Sequence, residues 1–455
     1  MSTLAELKSK VKGKTILQGE EGYDNARRVW NGMIDKHPSA VVYCKDATDV
    51  ANVVRFAREN NILLAVRGGG HNVAGLGTCD GGIVLDLSLM KRIEVDSGNK
   101  IAKAEAGLTW GEFDKATQTY GLATTGGLIS STGIAGLTLG GGIGWLVRKY
   151  GMTIDNLVSV EIVTANGDMV RASEKENQDL FWAIRGGGGN FGVVTSFEYS
   201  LHKVGPEVFG GALFYPLEMS YEVLEKYSAW QSSLPNEIST LLIFMTAPPL
   251  PFIPAELQGT KMVAVALCHT GSKEEGERIV APIRALKPAV DIVGPIPYVA
   301  LQSAFDASAP RGIKAYWKTS YPKHLNSEFF EILYKQASSL PTPFSQIHIH
   351  QLGGAVSMKS KEDTAFWHRD APFVLNIVGF WMDMADTNRS IDWVRQTWNA
   401  VKPFSKEGVY ANFMTAEDTD QVKLAYGGNY SRLASIKKKY DPTNLFRVNQ
   451  NIKPA

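Results

Sequence analysis

Cysteine is nearly missing from this chain. Its 455 residues include three, Cys44, Cys79 and Cys268. An odd, sparse set argues against a disulfide framework and for a reducing, cytoplasmic setting. It contains no close pair of the kind that holds a structural metal. Net charge is nearly missing too. Lys and Arg number 47 against 46 Asp and Glu, a formal +1. With no long basic run, there is no electrostatic footprint for nucleic acid or an anionic membrane. The short KKKY at 437–440 reads as a solvated helix face. No run of eighteen apolar residues offers a membrane span. The opening MSTLAELKSKVKGKT has no continuous apolar segment of the secretory type. What these absences leave is a soluble globular protein, with 44% apolar and 20% charged residues. Its length exceeds one ordinary core, so two or more domains are expected.

Glycine, by contrast, is plentiful, with 44 residues, and it is clustered. AVRGGGHNVAGLGTCDGGIVLDLS, residues 65–88, places seven glycines around His71. TGIAGLTLGGGIGW (132–145) and RGGGGNFG (185–192) are the other clusters. Each glycine costs backbone entropy on ordering and adds no side-chain burial. Something must therefore approach these backbones closely. For the first cluster the alternatives are a main-chain nest for an anion or a plain surface turn. For the second they are a flat ligand or the close packing of two backbones. The third fits the dinucleotide pattern Gly187-x-Gly-x-x-Gly192. Its context is reversed, however. NQDLFWAI predicts a helix before it and GVVTSFEYSL a strand after it, whereas a nicotinamide-type Rossmann site needs strand, glycines, helix.

The remaining punctuation predicts the elements around the clusters. AVVYC is a strand. DATDVANVVRFAREN is a helix with Asp46 at its N-cap and Val50, Val53, Val54 and Ala57 on one face. LLAVR and GIVLDLS are strands, and LVSVEIVTANGDMVRA is a hairpin turning at Asn166-Gly167. Gly205-Pro206 is the expected boundary of a first domain. A second, aromatic-rich stretch runs to 404, and a tail from 405 carries the helix YSRLASIKKKY, stopped by Pro442.

Taken in order, four segments resemble the berberine-bridge-enzyme-like branch of the vanillyl-alcohol-oxidase superfamily of FAD-linked oxidases. They are RGGGHNVAGLGTCDGGIVLDLS, GGLISSTGIAGLTLGGGIGWLVRKYGMTIDNLVSVEIVTANGD, NQDLFWAIRGGGGNFGVVTSFEY and YSRLASIKKKYDPTNLFRVNQNI. In texture the chain is similar to bacterial members of the 6-hydroxynicotine-oxidase type. The resemblance implies an α+β fold, with a two-part FAD-binding domain of the PCMH type at 1–205 and 405–455. A substrate domain at 206–404 would supply an antiparallel sheet covered by helices. It also implies FAD contacts from Arg67, Gly68, Gly69, Gly70, Asn72, Gly75, Thr78, Asp86 and Ser88. Further contacts are implied from Gly127, Ser131, Thr132, Gly133, Gly136, Gly140, Gly141, Gly142, Gly144, Trp145, Asn156, Val160 and Ile162, and from Tyr410, Asn412 and Asn449.

His71 matches the family position that bonds covalently to the flavin 8α-methyl carbon, and neutral imidazole is a suitable nucleophile. The cysteine that many members use for a second bond is replaced by Ile129, so a single histidyl linkage is implied. Thr132 matches the position beside the reactive face of the flavin, where a compact residue admits oxygen. Tyr410 matches a tyrosine base, and Tyr-x-Asn read as a strand puts Asn412 on the same face. A free phenol, with a pKa of about 10, needs activation for that role.

His348 and His350 share one strand face. They suit a substrate wall better than a metal, whose ligand count they do not reach even with His368 available. Tyr316 and Trp381 are further substrate candidates; the alternating strand GIKAYWKTSY puts Tyr316 with Lys314 and Lys318, and Trp317 opposite. The implied reaction is a two-electron oxidation of a small aromatic or heterocyclic alcohol or amine, with O2 as electron acceptor and no metal. The alternatives are a dehydrogenase with another acceptor, or a flavin-binding protein without turnover.

Overall fold

The valine-rich run between two turn-forming segments is the buried strand Ala40–Tyr43 in the computed structural model of the chain, which describes residues 2–455. It pairs in parallel with Ile83–Asp86, which pairs in parallel with Leu64–Arg67; Lys14–Leu17 adds an antiparallel edge. Parallel neighbours need a crossover. The helix Ala47–Glu59 supplies the one from Ala40–Tyr43 to Leu64–Arg67, which flank Ile83–Asp86, with Asp46 accepting from the amides of Thr48 and Asp49 and with Val50, Val53, Val54 and Ala57 buried. A five-stranded antiparallel sheet follows, in the order Ile93–Asp96, Ile101–Glu105, Val193–Ser200, Leu157–Val163, Met169–Ser173. Its last two strands form the expected hairpin, and Gly167 sits at φ +81 in the turn. The helix Gln178–Ile184 does precede the third glycine cluster, and the strand Val193–Ser200 follows it.

The tail returns to this first half. Leu433, Ala434 and Ile436 of the helix Tyr430–Tyr440 share a core with Ala183 and Phe191. Here the reading of KKKY as a solvated face needs correction. Lys437 is fully buried. Its Nζ donates to the Asn190 carbonyl at 2.6 Å, the Phe446 carbonyl at 2.8 Å and Asp441 Oδ2 at 2.7 Å. The inner helix face meets main-chain carbonyls that require a donor, and lysine is long enough to reach them.

Residues 207–406, which take in the first two residues of the tail, build a nine-stranded antiparallel sheet. Its centre runs Lys261–His269, Ile238–Thr246, Gln346–Gln351, Phe373–Trp381, Lys314–Pro322. Alternation assigns its faces. Ile347, Ile349, Leu375, Ile377 and Trp381 pack with Val223, Phe329 and Val394, which come from the helices Ser220–Ser232, Ser327–Ser338 and Thr387–Val401. The opposite face looks onto the glycine clusters.

Candidate active site

Between that sheet face and the glycine loops lies a cavity of about 330 Å³. Its walls include Arg67, Gly68, Gly69, Gly70, His71, Asn72, Gly127, Thr132, Gly133, Gly136, Gly140, Tyr410, Asn412 and Asn449. The glycines there do two different things. A Cβ on Gly69 would stand 2.3 Å from the Gly133 nitrogen, and one on Gly133 would stand 2.3 Å from the Gly69 nitrogen. The first and second loops are thus pressed backbone to backbone. Gly136 and Gly189 differ. A Cβ there would meet no protein atom within 4 Å, yet both face the cavity. Their bareness serves the space itself.

His71 is fixed at the wall by its neighbours. Its ring stacks on Trp30 with centroids 5.3 Å apart at 19°. Its Nε2 lies 3.0 Å from Ser131 Oγ and its Nδ1 lies 3.5 Å from Thr132 Oγ1. Burial first, then the charge of Arg311, lower its pKa to about 4. The imidazole is therefore neutral at neutral pH. Behind the loop, Arg67 pairs with Asp86 and donates to the Ala26 carbonyl at 2.7 Å.

Tyr410 stands at the other side. The expected strand is absent here, and the segment is a turn entering the short helix Ala411–Phe413. The two side chains meet all the same, since that tight turn folds Asn412 back on Tyr410. Asn412 Nδ2 donates to the phenol oxygen at 3.1 Å, and so does the Gly142 amide at 2.9 Å. These donors favour the phenolate, but burial outweighs them and raises the pKa to about 12.

The sheet wall comprises Leu241, Trp317, His348, His350, Asn376, Val378 and Phe380. The two histidines are on it, and burial lowers their pKa values to about 4 and about 3. Two substrate candidates need correction. Tyr316 and Trp381 lie on the opposite, helix-covered face. Tyr316 donates to Glu417 at 2.6 Å, and Trp381 Nε1 donates to Thr387 at 3.0 Å. Parity fixes this: Trp317 pairs with Val378, so it is Trp317 that faces inward. His368 is also elsewhere, stacked on Tyr321 at 4.5 Å. Among the described residues, no group of three His, Cys, Asp or Glu side chains could hold a metal ion.

Several implied cofactor contacts are supports rather than walls. Asp86 holds Arg67 and accepts from the Ser88 amide at 2.8 Å. Gly75 turns at φ +69 against Ile34, and Thr78 is buried beneath the loop. Ser131 reaches His71 from outside the cavity. Gly141 packs on Met152, Gly142 serves Tyr410, and a Cβ on Gly144 would lie 1.7 Å from the Gly126 carbonyl. Trp145 stacks on Phe305. Asn156 bonds the Tyr150 and Met152 carbonyls. Val160 and Ile162 are core residues of the five-stranded sheet, and it is the adjacent strand's Val193 and Val194 that reach the cavity. Sequence reasoning passed over Trp30, Trp317 and Asn376 as wall residues. Asn376 had a signal, being the lone polar residue in the buried run FVLNIVGFW. Trp30 had none.

A cavity with glycine loops on one side and an aromatic-bearing sheet face on the other suits a dinucleotide bearing a flat, reactive ring. The residues present fit FAD in particular. Bare main chain at Gly136 and Gly189 leaves room, and Asn449 keeps a buried Oδ1 without a hydrogen-bond partner among the described residues. Comparison with known proteins agrees. An FAD binding domain matches at residues 38–173 and a berberine and berberine-like segment at 409–453. An FAD-linked oxidoreductase of Dictyostelium discoideum is 34% identical over 98% of this chain and 95% of its own length. The (R)-6-hydroxynicotine oxidase of Paenarthrobacter nicotinovorans is 31% identical, over 98% of this chain and 97% of its own. The crystal structure of 6-hydroxy-D-nicotine oxidase from Arthrobacter nicotinovorans superposes with a TM-score of 0.88 at 28% identity, covering 98% of each chain. This chain belongs to the berberine-bridge-enzyme-like family, and it is an FAD-linked oxidoreductase.

Proposed function

We propose that the enzyme is an oxidase acting on a small aromatic or heterocyclic alcohol or amine, with O2 as the final acceptor and hydrogen peroxide as product. One observation carries the reading: a cofactor cradle and an aromatic, polar-studded sheet face meet in a single cavity, with His71 and Tyr410 on its walls. FAD held there would supply a two-electron acceptor for a hydride from the substrate carbon, with O2 as the final acceptor. The chain's residues do the rest. Tyr410, protonated at neutral pH, is the proton carrier at the reacting group. Once the phenol has given up its own proton to solvent, its two N–H donors hold the phenolate, which takes the substrate proton as the hydride leaves. The aromatic walls hold the substrate's ring and exclude water. Thr132, small and polar beside His71, leaves a path for O2.

His71 tethers the cofactor in this proposal. With FAD bound, its imidazole would supply the nucleophile for a bond to the 8α-methyl carbon, with O2 as the two-electron oxidant. Its neutral state and its fixed stack on Trp30 support that role, since attack demands accurate placement. The Ile129 side chain on the wall has no thiol for a second tether. The proposed division is a cofactor domain of 1–205 with 405–455, and a substrate domain of 206–404. No helix among the described residues is long and apolar enough to cross a membrane. Three buried free cysteines support a cytoplasmic setting.

Acid precipitation of the yellow holoenzyme tests the tether, and colour should stay with the pellet. Colour that washes out removes the bond to His71. Peroxide formed in step with substrate consumed tests the oxidase assignment. Dye reduction without peroxide makes the enzyme a dehydrogenase.

A further inference from the structure

We infer that the substrate is uncharged when bound and is anchored through a hydroxyl-type group read by His348, His350 and Asn376. The inference takes from the oxidase reading only the location of the substrate. Among the described wall residues of the cavity there is no Asp, Glu or Lys. Its one charged side chain, Arg67, belongs to the cofactor end and is already paired with Asp86. An ammonium entering the sheet end would lose its water and gain no counter-charge, and so would a carboxylate.

The polar groups that do face this end are neutral. His348 and Asn376 stand directly opposite each other on adjacent strands, and His350 is two residues along the same face. The wall around them is mostly apolar, with Leu241, Val378, Phe380 and Phe413; Gln346 is the polar neighbour of His348, and Tyr410 is the other titratable group on the cavity wall. Burial disfavours the protonated form of both rings, and His348 further discourages a charge on His350. His348 Nε2 lies 2.6 Å from Gln346 Oε1, which places its proton there and leaves Nδ1 as an acceptor. Asn376 Oδ1, His350 Nε2 and Trp317 Nε1 are buried with no hydrogen-bond partner among the described residues. Native interiors rarely leave such atoms bare, and a ligand that supplies both a donor and an acceptor satisfies them. A hydroxyl does both; an ammonium only donates and a carboxylate only accepts.

The test titrates anaerobic holoenzyme at pH 7 with benzyl alcohol, benzylamine and benzoate, reading the shift in the flavin absorption band. Benzyl alcohol should bind at least about ten-fold more tightly than either ion. Benzylamine should tighten as rising pH removes its proton. Asn376→Asp, or His350→Glu if that variant does not fold, should reverse the preference toward the ammonium by about ten-fold or more. Equal or tighter binding of benzylammonium by the native enzyme overturns the inference. So does failure of all three probes to bind, or an unaltered preference in the folded acidic variant. Preferential binding of the alcohol by an enzyme that forms no peroxide in air leaves this inference standing and sinks the oxidase reading instead.

Discussion

Replacing Tyr410 by phenylalanine deletes one oxygen and little else. The ring keeps its edge contacts with Phe413 at 4.9 Å and Phe366 at 6.1 Å. Asn412 Nδ2 keeps its other acceptor, the Leu137 carbonyl at 3.0 Å. The Gly142 amide, however, loses its acceptor in a buried position. One orphaned buried donor costs about 1–3 kcal/mol, and a single such group in an otherwise intact site points to about 1–2 kcal/mol. That lowers Tm by a few degrees without unfolding the enzyme at 25 °C. The effect on rate should be far larger, because a positioned proton carrier contributes about 10²- to 10⁴-fold. The assay is anaerobic stopped-flow reduction of the bound flavin, with thermal unfolding of the same preparation. Reduction should slow by at least about 100-fold while substrate affinity changes by less than about three-fold. Because burial pushes the phenol up to about 12, the phenolate fraction, and with it the native rate, should rise from about pH 6 to 10 without reaching a plateau. Reduction by the phenylalanine variant within about five-fold of native refutes the assignment, and so does a loss confined to affinity.

Gly136→Leu should leave apoprotein stability unchanged or raise it by up to about 1 kcal/mol, because the position is helical and meets no protein atom. FAD content should fall by an order of magnitude, read from the ratio of visible to protein absorbance. Lys437→Met strips the buried Asp441 carboxylate of its cation and should cost about 3–5 kcal/mol in denaturant unfolding. Stability should also fall with acid. His71, His348 and His350 have folded pKa values lowered to about 4, 4 and 3, so the native state binds fewer protons than the unfolded chain. Their contribution is complete above about pH 6.5 and lost as pH falls toward 4. Unfolding titrations from pH 7 to 4 read that slope, and His348→Asn should flatten it.

What the sequence revealed depended on how local the signal was. The helix Ala47–Glu59 announces itself through its cap and its valine stripe, and the hairpin through Asn166-Gly167. His71 and its glycines stand out because bare backbone in such density has few uses. Tyr316 and Trp381 misled because a strand declares two faces but not which one meets the cavity; that is decided by the long-range pairing of Trp317 with Val378. Trp30 was invisible because only the fold carries it to His71. Lys437 was misread because its partners are main-chain carbonyls, which leave no trace in residue identity.

The glycine clusters show why composition alone could not separate a ligand site from packing. Both alternatives for the second cluster are true at once, at different residues. Gly133 has no side chain because Gly69 occupies that place, and Gly136, three residues on, has none although nothing of the protein occupies it. The first arrangement locks two loops into one rigid wall, since neither backbone could approach if either residue carried a Cβ. The second uses that wall to keep an empty volume open against the tendency of interiors to fill. A protein without a ligand at this place would gain from closing the gap at Gly136 with any aliphatic side chain, and doing so would also improve the helix. That the gap stays open, beside a neutral histidine held in a stack and a tyrosine held by two donors, ties the glycines to the bound cofactor and not to the turn they sit in.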